Sequence, residues 1–204
     1  MRRARIPTAP AQRGLSLIVV LQLLLLVSIL GIGAAQIATM NERGARNDRD
    51  AQSALQAADA GLADAIRDID GPAGAVARAD AFADGAGAGI DFVEGCGTGP
   101  RNRGLCVQKL AGKPVWQDVD FTDTTRTAGF GDFTGRTFAS GAGVEQGVRP
   151  AMAPRYVVEA VDDRELLGDL SGPAPKVYRI TAMGFGPRRD IQAVVQALYR
   201  RKKD

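Results

Sequence analysis

The chain has 204 residues, room for one ordinary domain plus an anchor but not for two full domains. It contains no histidine, which excludes an imidazole base, a Ser-His or Cys-His pair and the usual His-ligated metal sites. The formal net charge of +3 does not point to nucleic acid, because Arg2, Arg3, Arg5 and Arg13 fall in the first fourteen residues and the rest is near neutral.

Residues Gly14 to Asn41 form 28 consecutive positions without a charge, centred on Leu15-Ser-Leu-Ile-Val-Val-Leu-Gln-Leu-Leu-Leu-Leu-Val-Ser-Ile-Leu30. A helix needs about 20 apolar residues to cross a bilayer core of about 30 Å, so this run is long enough. Arginines precede it, and mixed charges (Glu42, Arg43, Arg46, Asp48) follow. That asymmetry orients the N-terminus to the cytoplasm and everything beyond about residue 40 to the far side. Three readings of the segment compete. One is a signal peptide removed near Gly33-Ala34-Ala35, although the apolar run exceeds the about 7–15 residues of an ordinary signal core. Another is a plain signal anchor for an unrelated periplasmic domain. The third rests on the junction Gln12-Arg13-Gly14-Leu15-Ser16-Leu17, where a charged leader ends in glycine and the apolar helix starts at the next residue.

This junction resembles the class III signal of type IV prepilins, which a prepilin peptidase cuts after the glycine on the cytoplasmic face before the new N-terminus is methylated. The resemblance implies cleavage between Gly14 and Leu15 and N-methylation of Leu15. Two positions depart from the pattern: Leu15 stands where phenylalanine is frequent, and Val19 stands where major pilins carry a glutamate. A carboxylate in lipid is costly unless paired, and in the family it is thought to pair with a neighbour's terminal amine during docking. Its absence points away from a bulk major pilin and toward a minor subunit, one placed at the tip.

Beyond Asn41 the helical pattern continues. Leu55, Ala58, Leu62, Ile66 and Ile69 recur at spacings of three and four, which places them on one face, with acids and arginines on the others, until Gly71-Pro72 ends the pattern. A helix from Leu15 to Ile69 is roughly 80 Å long at about 1.5 Å per residue. Gly31, Gly33 and Gly44 interrupt it, read either as close helix packing through small residues or as a stretch that loosens when the subunit leaves lipid. The stretch Asp50-Ala-Gln-Ser-Ala-Leu-Gln-Ala-Ala-Asp-Ala-Gly-Leu62 resembles the segment that minor pilins of the PilX family carry just outside the membrane.

The remainder is rich in glycine and poor in aromatics, which predicts loops around a modest core. Residues 71–89 read as a connector with one short helical turn. Cys96 and Cys106 flank a turn-rich insert, and on the external side of a membrane they are expected to form a disulfide worth about 2–3 kcal/mol. Gly104-Leu-Cys106 followed by Pro114-Val-Trp116 resembles PilX-type heads. Asp118, Asp120 and Asp123 are read as solvated loop acids. An EF-hand begun at Asp118 needs glycine at its sixth position and glutamate at its twelfth, and these are Asp123 and Gly129. Gly129-Phe-Gly-Asp-Phe-Thr-Gly135 lacks the Gly-Lys-Ser/Thr ending of a phosphate loop and is read as a turn. Arg155–Val161, Val177–Met183 and Asp190–Tyr199 are the clearest strands, with Gly184–Asp190 as the turn between the last two. In the middle strand Tyr178, Ile180 and Ala182 share one face and Val177, Arg179, Thr181 and Met183 the other. The basic tail Arg200–Asp204 is read as a solvated terminus.

Taken together, the resemblance implies an α+β, pilin-like fold in which a long N-terminal hydrophobic helix packs against a C-terminal antiparallel β-sheet head. It divides the chain into a leader (1–14), a long helix (15–70, with 15–38 in the membrane) and a head (71–204). It implies a non-enzymatic minor pilin without cofactor, metal or nucleic-acid partner. Such a subunit sits in the inner membrane with its head periplasmic, is cut by the prepilin peptidase, and assembles with other minor pilins and the major pilin. It primes pilus growth and supports a tip adhesin. The rival readings are a pseudopilin of a type II secretion system and a membrane-anchored periplasmic enzyme.

Overall fold

The computed structural model describes residues 15–71, 78–82, 91–139, 149–163 and 176–201. One helix, α1 (Leu15–Asp70), carries the apolar run and continues through the charged and alanine-rich stretches. Leucine and alanine, both good helix formers, dominate it and no proline lies inside it, so its four glycines, at about 1 kcal/mol each, do not break it. It stops at Asp70, before Gly71-Pro72, a pair that cannot propagate a helix.

By internal contacts the chain divides into two units, Met1–Asn47 and Asp48–Asp204. The described residues of the first all belong to α1. The second holds the rest of α1, a 3-10 turn (Ala79–Phe82), β1 (Leu105–Val107), the short α2 (Val115–Asp118), β2 (Ala128–Gly129), β3 (Arg155–Asp162), β4 (Lys176–Phe185) and β5 (Gln192–Tyr199). The 3-10 turn is the helical turn expected in the connector.

The three long strands form the expected antiparallel meander. Tyr156 faces Ala182 across β3 and β4, and Ala182 faces Val195 across β4 and β5. The alanine- and glutamine-rich third segment is a strand. It begins at Gln192 rather than Asp190, and Gly184 and Phe185 extend β4 rather than form the turn. The turn is closed one residue later, where Gly186 N–H donates to the Ile191 carbonyl at 2.8 Å. Two short strands add to the meander. Both lie along the edge of β3 away from β4, β1 parallel beside Val158–Ala160 and β2 antiparallel beside Arg155 and Tyr156.

Each face of the sheet is covered differently. Tyr156, Val158, Tyr178, Ile180 and Ala182 pack with Ala65 and Ile69 of α1 and with Phe82, Phe92 and Leu105. On the opposite face Val157 and Phe185 pack under Val115, Val119, Phe121 and the two cysteines, with Trp116 and Met183 alongside. The face assigned to Val177, Arg179, Thr181 and Met183 is therefore covered in part by a second core. Thr181 is fully buried and accepts a hydrogen bond from Gln196 Nε2 at 2.8 Å.

The inward side of the helix is shifted from the face its apolar periodicity marks: Ala58 and Ile69 of that face are buried and Leu62 and Ile66 pack at the margin of the core, but Leu55 is turned out. Leu55 is 45% exposed and Leu62 and Ile66 only partly buried, whereas Ala54, Ala57, Ala58, Gly61, Asp64, Ala65, Asp68 and Ile69 are buried. The reason is close approach. A Cβ on Gly184 of β4 would lie 2.1 Å from both the Ala54 carbonyl oxygen and the Ala58 nitrogen, and one on Gly61 would lie 3.0 Å from Pro154. Only a face of alanine and glycine admits the strand backbone so near, and that face carries Asp64 and Asp68 inward with it. Gly184→Ala is therefore expected to destabilise the head by about 1–3 kcal/mol, the usual cost of overpacking. Urea unfolding of the detergent-solubilised chain, followed by the fluorescence of its single tryptophan, Trp116, measures this.

Candidate functional site

Two features of the described chain can carry function: the bare apolar part of α1, and the head with the polar groups that hold it together. In the first unit every large apolar side chain from Leu17 to Met40 is exposed, Leu17 at 67% and Leu30 at 71%. No soluble protein leaves so continuous an apolar surface in water, and the length suffices to cross a bilayer. The hydroxyls in the run are satisfied within the helix. Ser28 Oγ donates to the Leu24 carbonyl and Thr39 Oγ1 to the Gln36 carbonyl, each at 2.8 Å, as an apolar surrounding demands. Val19 lies within this surface. Leu15 is the first residue of α1, and Gly14 lies outside the described residues.

In the head, the last turns of α1 present a row of carboxylates to the interior. Asp68, fully buried, accepts from Arg78 Nη2 at 2.6 Å, from Arg78 Nε at 2.9 Å and from the Tyr156 hydroxyl at 2.9 Å. Arg78 is equally buried; it stacks on the Phe133 ring with 3.5 Å to the centroid and donates to the Arg103 carbonyl. One helical turn earlier, Asp64 accepts from Gly131 N–H at 2.7 Å and from Thr134 Oγ1 at 2.6 Å, with Arg136 at 3.5 Å. Asp70 accepts from the Tyr199 hydroxyl of β5. Three acids of one helix thus fasten the connector turn, the loop after β2, strand β3 and strand β5. Burial pushes the Asp68 carboxyl above its ordinary value against the pull of Arg78. Burial, then the neighbouring Asp68, holds the Tyr156 phenol well above its own. Burial and Asp70 raise Tyr199 to about 12. The periodicity of the apolar residues gave no hint of this row, because it assigned the acids to solvent. The signal available was the i, i+4 pair Asp64 and Asp68 beside alanines and a glycine.

Cys96 and Cys106 are joined in a disulfide within the second core. It ties the loop after Asp91 to β1, where Val93 also bridges Cys106. Glu159, fully buried on the same sheet face, is held by Arg179 directly across β4, through Nε at 2.8 Å and Nη2 at 2.7 Å. The hydrogen bond from Arg179 to Glu159 raises the guanidinium further.

The three loop acids do not converge. Asp118 pairs with Lys109, which lowers its pKa. Asp120 accepts from Thr122 N–H and Oγ1 at 2.8 and 2.7 Å, and Asp123 does the same with Thr125. Asp120 and Asp123 each close their own turn and Asp118 is held by Lys109, and among the described residues no group of His, Cys, Asp or Glu is arranged to hold a metal ion. The loop from Gly129 to Gly135 is a turn, with positive φ at Gly131 and Gly135, and it docks on Asp64. The terminal Arg200 is not simply solvated, since its Nε donates to Asp163 at 2.8 Å.

A long helix with a bare apolar end and a head built on its other end is the plan of a pilin. Two family models match the chain, PilX N-terminal over residues 13–63 and type IV pilus assembly protein PilX C-terminal over residues 97–201. The chain belongs to the PilX family of type IV pilus assembly proteins. Neither a curated protein nor a solved structure matches it. For a PilX-family protein the apolar part of α1 fits membrane anchoring, and membership implies interaction with other pilus components. Asp68 and Arg78 lie between the two matched spans, so this latch belongs to the part of the chain that neither family model describes.

Removing either partner of the latch leaves a buried charge unpaired. Asp68→Leu or Arg78→Met alone is expected to cost about 3–5 kcal/mol, and the double substitution less than the two singles summed. Urea unfolding of all three variants tests the coupling. The tyrosines provide a second check. Folded Tyr156 and Tyr199 hold protons that the unfolded chain releases near pH 10, so stability falls as pH rises from about 10 toward 12. Phenolate absorbance should show their ionisation delayed in the folded protein and immediate in urea.

Proposed function

We propose that this PilX-family protein is a minor pilin that primes assembly of the type IV pilus from the inner membrane. In this reading the leader is cut after Gly14, Leu15 becomes the N-methylated first residue, and the head lies on the periplasmic side. The observation that carries the reading is the division of labour along α1. Its first part exposes apolar side chains on every side, as a helix shared between lipid and neighbouring pilin helices requires. Its last part packs on the sheet of the head.

The sequence refines the position. Val19 removes the carboxylate that would seek the terminal amine of a subunit already in place. A subunit without that demand suits the start of the filament, together with other minor pilins and ahead of the major pilin, where it ends at the tip and supports an adhesin. The disulfide and the buried latch give the head the rigidity that such contacts need.

The decisive test is the mass and N-terminal sequence of the protein taken from membranes with and without the prepilin peptidase. A chain beginning at methylated Leu15, and found uncut without the peptidase, is the expected result. A chain that stays uncut in both, or begins after the apolar run, removes the pilin reading and leaves an ordinary anchor or a secreted domain. Deletion should abolish surface pili while leaving the major pilin in the membrane. Loss of type II secretion with pili intact would assign the chain to the secretion system instead.

A further inference from the structure

Two amides break the apolar surface of α1. Gln22 and Gln36 both lie inside the uncharged run from Gly14 to Asn41, and both are exposed. The hydroxyls of Ser28 and Thr39 turn back on the helix backbone, but among the described residues neither amide side chain has a hydrogen-bond partner. In water that costs nothing. In lipid a primary amide loses its bonds unless a group at the same depth supplies them, so polar side chains of membrane helices face a neighbouring helix.

The two amides share one face. Gln22, Leu26, Ile29, Gly33, Gln36 and Met40 follow one another at spacings of four and three, and the amides are two heptads apart. A left-handed helix pair therefore holds both on its seam, about 21 Å apart along the axis. Gly33 lies between them, and the space its Cβ would take is open, so a second backbone can come close.

The membrane and the amide chemistry select the occupant. Among the described residues α1 alone is long and apolar enough to cross a bilayer. The longest segment of this chain outside them, 1–14, is too short and carries four arginines. The partner is thus a second polypeptide. A primary amide both donates and accepts, so it is its own complement. Copies of this chain insert with their arginines on the same side, so they lie parallel and bring both amides to the same depths on the same face. A helix of another sequence has to supply bonding groups at both levels, which a second copy does by identity. Arg43, the next seam position, lies past the run at the level of water, where like charges are screened. We infer that Gln22 and Gln36 form the seam of a parallel pair of α1 helices from two copies of this chain in the membrane, each amide bonded to its counterpart. The inference rests on α1 crossing the bilayer, as in the reading above, but not on cleavage after Gly14 or on a place at the tip.

The test places the full chain, labelled at its C-terminus with donor or acceptor dye, in phosphatidylcholine vesicles. Flotation reads insertion and energy transfer reads pairing. The expected result is pairing weakened at least tenfold by Gln22→Leu with Gln36→Leu. That variant should float as well as the parent, being more apolar, and its head should unfold unchanged when read by Trp116. Oxidative cross-linking through added cysteines should join copies at Ile29→Cys and Met40→Cys but not at Leu24→Cys or Ala35→Cys. Equal pairing by the leucine variant, or cross-links at Leu24→Cys and Ala35→Cys, overturns the inference. Transfer no greater than that of randomly mixed monomers overturns it too, as does pairing that appears only when a different pilus component shares the membrane. A chain that does not float removes the membrane reading of α1 itself, and the pairing with it.

Discussion

The contact between α1 and β4 at Gly184 governs the rest of the head. With the strand backbone this near Ala54 and Ala58, the helix cannot rotate or slide without a clash, and its inward face is set for its remaining turns. At spacings of three and four that face runs through Gly61, Asp64, Ala65, Asp68 and Ile69. Two carboxylates are thereby placed in the interior. Each must be matched, because an unpaired buried charge costs several kcal/mol. The partners come from distant parts of the chain: Arg78 from the connector, Tyr156 from β3, and Gly131 and Thr134 from the loop after β2. Close packing and the polar network are one constraint seen twice, since small residues bring the strand in and the acids tie down what surrounds it.

This arrangement suits a helix that must serve two surroundings. From Leu17 to Met40, α1 carries apolar side chains, two hydroxyls folded back on their own backbone and the amides of Gln22 and Gln36, with no charge. The head end is the reverse: it offers little apolar bulk to the sheet, and much of its hold comes from directional bonds that fix one orientation. Apolar contact tolerates sliding past lipid and past other helices, whereas a buried network of ion pairs and hydrogen bonds does not.

The sheet carries the same asymmetry from edge to edge. Beside β3, the strands β1 and β2 and the disulfide-tied loop close the sheet and build a second core. Among the described residues nothing pairs with the outer edge of β5, whose residues are uncharged and at most partly buried.

Much of this was legible in the residues. A bilayer-length apolar run, the stop at Gly71-Pro72, the three C-terminal strands with Tyr178, Ile180 and Ala182 on one side, and an α+β pilin-like plan all follow from local chemistry: hydropathy, breakers and two-residue alternation. The helix face followed only in part: Ala58 and Ile69 are buried and Leu62 and Ile66 pack beside the core, but Leu55 is exposed, because the approach of Gly184 makes alanine and glycine the better interface there. Asp64 and Asp68 were invisible for the same reason, since an acid reads as solvated until Arg78, ten residues beyond Asp68, and Tyr156, farther still, are folded against it. The sequence by itself determined the long helix, the three long strands and the membrane-length apolar surface, because those depend on neighbours in the chain, whereas the short β1, β2 and α2 escaped it. Tertiary structure alone decided which turns of the helix meet the sheet backbone and which acids are buried, because those depend on groups the chain brings together only by folding.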